Sequence, residues 1–194
     1  MKYHFFTSQG AFITLFGLLS AHASASNFNY NYVEIGSASS TNDSLGVDID
    51  YSAIGISGSY ALNEDIALTA TYTSGSYDDI PIDTNESRFG LTAHHAINNK
   101  LDFLIGASYL QAELETSVGN ADDTGYNLSA GLRQIVTDGA EFDAYFIQTN
   151  LFDNSNSVLN LGIRVNLSKA LSLRLGYSTG DNVESISMKL RVEM

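Results

Sequence analysis

Few residues of this chain are suited to covalent chemistry. Two of its four histidines, His94 and His95, stand side by side just before the polar run Asn98-Asn99-Lys100. A general base must sit within hydrogen-bond reach of its partner, and Ser87 and Ser108 have no base beside them in the sequence. The absence of cysteine removes thiol chemistry and disulfides. The densest acidic group is Asp78-Asp79…Asp83…Glu86. Hard cations prefer such oxygens, but the spacing is not that of a calcium loop, and a solvated acidic loop accounts for it. With no phosphate-cradling glycine loop and no metal-ligand spacing, the chain reads as a non-enzyme without cofactor or metal. What remains is ion pairing: Arg88, Arg133, Arg164, Arg174, Lys189 and Arg191 recur in segments that also carry Glu34, Asp102, Glu113, Asp143 and Glu193.

The segments that must position these charges alternate residue by residue. Leu159, Leu161, Ile163, Val165 and Leu167 interleave with Asn160, Gly162, Arg164 and Asn166; Ile186, Met188, Leu190, Val192 and Met194 interleave with Ser187, Lys189, Arg191 and Glu193. A period of two is the strand period, with successive side chains on opposite faces. Such patterning predicts ten strands, over 29–37, 53–62, 66–74, 87–97, 101–114, 125–136, 141–151, 157–167, 171–178 and 183–194. Short turns at 63–65, 98–100, 137–140 and 168–170 are expected to alternate with longer loops at 38–50, 75–86, 115–124, 152–156 and 179–182. The sole proline, Pro81, falls in one of those loops.

Every strand arginine and lysine falls on the polar face. A charge facing lipid at mid-membrane costs about 2–4 kcal/mol, so this segregation fits an apolar exterior and a charged interior. The fold expected is all-β: a transmembrane up-and-down antiparallel barrel of ten strands. Inward glycines (Gly36, Gly55, Gly90, Gly106, Gly131, Gly162, Gly176) leave room for arginine side chains. A lumen network of Glu34, Arg88, Asp102, Arg133, Asp143, Arg164, Arg174, Lys189, Arg191 and Glu193 is expected to fill the interior. Tyr30, Tyr32, Tyr60, Tyr72, Tyr109, Tyr126, Phe142 and Tyr177 lie towards strand ends, where aromatic girdles belong.

Lys2, the apolar run 12–19 and the small residues Ala21, Ala23 and Ala25 read as an export signal. The expected organisation is therefore a cleaved signal over 1–25 and a barrel over 26–194. The chain carries 9 basic against 22 acidic residues, a net charge of −13, which argues against nucleic acid as a partner.

The start Tyr30-Asn31-Tyr32-Val33-Glu34-Ile35-Gly36, the segment Gly58-Ser59-Tyr60-Ala61-Leu62 and the closing strands resemble small outer-membrane β-barrel proteins of Gram-negative bacteria, in particular a ten-stranded, porin-like, opacity-type subset. The resemblance implies that fold and an outer-membrane location, mostly without an assigned activity. Met194 stands where such barrels usually end in an aromatic residue. The expected partners are outer-membrane lipid and lipopolysaccharide, with the barrel assembly machinery during insertion, for a protein acting as a monomer. The reading favours a structural or surface-interaction role with a largely filled lumen. A narrow porin-like channel is the alternative, and a barrel-embedded hydrolase comes third.

Overall fold

Ten runs rich in β-branched, aromatic and small residues form ten strands in the computed structural model, which describes residues 27–44, 47–78, 80–180 and 183–194. They are β1 (Tyr32–Ser44), β2 (Val47–Ala61), β3 (Ile66–Tyr77), β4 (Ile82–Asn98), β5 (Leu101–Thr116), β6 (Gly119–Thr137), β7 (Ala140–Leu151), β8 (Asn154–Asn166), β9 (Leu171–Gly180) and β10 (Val183–Glu193). Each pairs antiparallel with its sequence neighbours, and β10 closes on β1 from Tyr32↔Glu193 to Asn42↔Val183. The result is the expected up-and-down barrel. Closure removes free edges along the paired length. The export signal expected over 1–25 lies outside the described residues.

The period-two reading places the apolar residues outside and the strand arginines inside. Ile35, Ile54, Phe89, Ile163, Leu175 and Ile186 point outward, at 56–69 % exposure. Arg133, Arg164, Arg174 and Arg191 point inward and are 3–6 % exposed. This inverts a water-soluble domain and matches a barrel whose solvent is lipid. Tyr60, Tyr72, Tyr109, Tyr126 and Tyr177 project outward, as girdle residues should. Tyr30 and Tyr32 do not: Tyr30 is buried inside the lumen and Tyr32 shares the inner face with Glu34.

The expected long loops are a second correction. At the end remote from the termini, β5 runs to Thr116 and β6 starts at Gly119, while β7 runs to Leu151 and β8 starts at Asn154. Those connections are as tight as the ones at the terminal end. Phe152 and Asp153 both adopt positive φ, 50° and 56°, as a two-residue primed turn requires. The reason is physical. Apolar alternation marks only the height at which a strand meets lipid; above it both faces are polar, the pattern fades, and the hydrogen-bonded ladder continues. Pro81 sits in the connection just before β4, where it removes no ladder bond.

Space inside the wall is set locally by small residues. Gly162 and Gly176 are register partners on β8 and β9, and the Arg174 guanidinium lies against both. A side chain at either position would displace it.

Candidate functional site, the charged lumen and its N-terminal strap

The lumen is built from three ion-pair groups and one aromatic cluster. Glu34 on β1 is the centre of the first group. Its Oε1 accepts hydrogen bonds from Arg164 Nη2 and Arg191 Nε, each at 2.8 Å; its Oε2 accepts one from the Ser57 hydroxyl at 3.3 Å and lies 3.9 Å from Lys189 Nζ. The Arg191 guanidinium also stacks 3.4 Å above the Tyr32 ring, a cation–π contact strengthened by desolvation. Register explains part of this, since Glu34 stands directly beside Arg191 and Ser57. Arg164 reaches Glu34 from β8 across two intervening strands.

The second group is Asp143 with Arg174. The arginine donates from Nε at 2.9 Å and Nη2 at 2.5 Å, a bidentate pair. Arg174 Nη2 also donates to Asn160 Oδ1 at 2.6 Å. In the third group, Arg133 donates from Nε and Nη2 to Glu141 Oε2 at 2.9 and 2.7 Å. The same carboxylate oxygen lies 3.8 Å from Arg164 Nε. A buried charge without a partner is costly, and these groups meet that demand with several donors per carboxylate.

Below them, residues 27–31 fold into the barrel as a strap. The sequence Asn27-Phe28-Asn29-Tyr30-Asn31 alternates, and the structure uses both phases. Phe28 and Tyr30 point up into an apolar cup formed by Ala67 and Leu104, with Ala61, Ile135 and Tyr145 around it. The asparagines tie the strap to the rim: Asn27 Nδ2 donates to the Asn99 carbonyl at 2.8 Å, Asn29 Nδ2 to the Met194 carbonyl at 3.2 Å, and Asn31 Oδ1 accepts the Ala61 N–H at 2.9 Å. Tyr30 stacks on His94 with centroids 3.7 Å apart, and its hydroxyl donates to Asp102 Oδ2 at 2.7 Å. Arg133 lies over the Phe28 ring at 4.6 Å and donates to the Asn29 carbonyl at 3.4 Å. The strap thus links the aromatic cluster to the third ion-pair group.

Between strap and ion pairs remains a cavity of about 290 Å³. Arg174, Lys189 and Arg191 line one side together with Glu34 and Asp143, and Ser59, Thr69, Thr92 and Ser129 line the other.

Of the expected network, Glu34, Arg133, Asp143, Arg164, Arg174, Lys189 and Arg191 do converge in one half of the lumen. Three residues depart from it. Arg88 sits higher on β4 and pairs with Glu86, Nε to Oε1 at 2.5 Å. Asp102 serves the strap through Tyr30 and has His94 Nδ1 at 3.8 Å, although its register neighbour is Arg133. Glu193 makes no ion pair among the described residues. Glu113 is not a lumen residue: it shares the outward phase of Tyr109 and meets Asn120 Nδ2 at 3.4 Å.

The expected acidic cluster is dispersed. Asp78 lies in the β3–β4 connection, Asp79 lies outside the described residues, and Asp83 and Glu86 occupy opposite phases of β4. Among the described residues no three His, Asp or Glu side chains come together to hold a metal ion. Sequence reasoning missed Glu141, His94 as a ring partner, and the strap. Glu141 stands two residues before Asp143, which puts both on one strand face; no signal in the sequence separates the strap from β1, because the alternation runs on through 27–31.

Ten antiparallel strands, an apolar exterior and a charged interior define a transmembrane β-barrel. The chain belongs to the family described as "Outer membrane protein beta-barrel domain", which it matches over residues 11–185. It is an outer-membrane barrel of that family. No curated protein matches it. Among solved structures, the NanC porin is similar at TM-score 0.53 and 9 % identity, covering 84 % of this chain and 98 % of that one. The KdgM porin gives 0.49 at 9 %, covering 83 % and 99 %. Neisserial surface protein A gives 0.44 at 17 %, covering 84 % and 96 %. At these identities the likeness to NanC concerns the fold.

Proposed function

We propose that this protein is a monomeric, closed surface barrel: its lumen is shut by its own ion pairs and strap, and its role is structural or interactional at the cell surface. The observation that carries this reading is the strap. Residues 27–31 place two aromatic rings across the terminal end of the lumen and tie themselves to Asn99, Met194 and Ala61 around the rim. In this reading the terminal end is periplasmic, residues 1–25 are the export signal removed on the way, and the barrel assembly machinery inserts the chain among outer-membrane lipid and lipopolysaccharide. The outward tyrosines and apolar face support the lipid partner. His94 is occupied by Tyr30 stacking and neighbours Asp102, which supports a structural rather than catalytic role for it. A narrow porin-like channel is the second reading, favoured by the residual cavity with its charged side.

Planar-bilayer recording separates the two. The refolded protein is expected to give no discrete conductance steps, and the double substitution Phe28→Ala and Tyr30→Ala is expected to produce them. Steady stepwise conductance in the unsubstituted protein, unchanged in the double variant, would refute the closed reading.

A further inference from the structure

The barrel rim at the end remote from the termini is stepped. β6 begins at Gly119, but its pairing with β7 begins only at Tyr126↔Asn150. Just above that point the Phe152 N–H donates to the Asp123 carboxylate, which caps the β7–β8 turn. Over residues 119–122, therefore, β6 has β5 on one side and, among the described residues, no strand on the other. Backbone N–H and C=O groups along such an edge are a template for another strand.

The side chains say what kind of strand would fit. On the outward phase, Asp122 stands beside Glu113, and Asn120 beside Glu115, which is itself beside Asp83 of β4. On the inward phase, Ala121 stands beside Leu114. No lysine or arginine occurs between Lys100 and Arg133, so this ribbon carries its acids without a cation of its own. Asp122 and Ala121 are exposed. A second copy pairing along the same edge would set acid against acid, which is destabilising for directly opposed like charges.

We propose that the open edge of β6 at residues 119–122 is a strand-addition site for an extended segment of another protein that alternates basic and small apolar residues. Main-chain hydrogen bonds supply the affinity in this mode, and alternate side chains supply the specificity. The basic residues stand beside Asp122, with Glu113 one strand further on, and the small apolar ones stand beside Ala121. The proposal rests on the surface-interaction reading above, but its test involves no conductance, so each can fail alone.

The test is amide hydrogen exchange on the refolded full chain with a synthetic peptide of four Lys-Val repeats. A Lys-Gly peptide of equal charge and low strand propensity is the control. The expected result is slowed exchange across 119–122 with the Lys-Val peptide alone, and about tenfold weaker binding in Asp122→Lys, the loss of one favourable charge contact becoming a repulsive one. Retained heat-modifiable gel mobility in that variant shows that it still folds. The proposal is overturned if exchange at 119–122 is unaffected, if both peptides protect it equally, if Asp122→Lys binds as well as the parent, or if protection there appears without peptide as the protein concentration rises.

Discussion

Glu34 is the residue on which most of the lumen converges, with Arg164, Arg191 and Lys189 all within 3.9 Å of its carboxylate. Removing the charge leaves three cations sharing a neutral amide. Glu34→Gln is therefore expected to lower the unfolding free energy by about 3–5 kcal/mol, the usual cost of breaking a buried pair, read from urea titration in lipid vesicles. A loss below about 1 kcal/mol would mean that water, rather than protein, solvates these groups. Sequence alternation was enough to place the six strand cations on the inner face; around Glu34 the alternation is poor, and only its charge suggests the face. Alternation could not assign partners, because an arginine reaches across several strands. Arg133 has Asp143 directly beside it in register yet bonds Glu141, while Asp143 takes Arg174 from β9. Tyr30 was misread for a related reason: alternation continues through 27–31, and nothing in it announces that the wall ends and the chain turns inward.

For a strand, the decisive quantity is which face meets lipid and over what height. Ile163 on β8 points outward between the inward Gly162 and Arg164. Ile163→Lys is expected to cost about 2–4 kcal/mol in vesicle-based unfolding, the penalty for a lipid-facing cation near the midplane. Gln111→Lys, outward on β5 above Tyr109, should be nearly neutral. Equal costs at the two positions would misplace the membrane band. The number of strands and, apart from the start of β1 (expected at 29, found at Tyr32), their ends near the termini were legible because apolar alternation runs right down to those turns. The opposite ends were not legible. In β1 the alternation gives way to Ser37, Ala38, Ser39, Ser40 and Thr41, yet the strand continues to Ser44, held by ladder hydrogen bonds that do not depend on side-chain polarity.

At the scale of the whole molecule, a closed ladder has no weak edge from which to unzip along its paired length. The unboiled protein in dodecyl sulfate is expected to migrate faster than the boiled one and to need detergent for extraction; identical mobilities and a soluble fraction would sink the membrane assignment. Fold and location were legible because charge and apolar residues segregate over the entire chain. The strap over 27–31 was not, since it depends on contacts between distant parts of the chain. Seating it has an order in time. The strap bonds to the last residue twice, with Asn29 Nδ2 donating to the Met194 carbonyl and the Met194 N–H donating to the Asn31 carbonyl at 3.0 Å. Its cup is supplied by β2, β3, β5, β6 and β7. Neither latch nor cup exists until the barrel has formed and the two ends of the chain have met, the slowest kind of contact to make. Residues 27–31 are thus expected to settle only after the wall that receives them has formed.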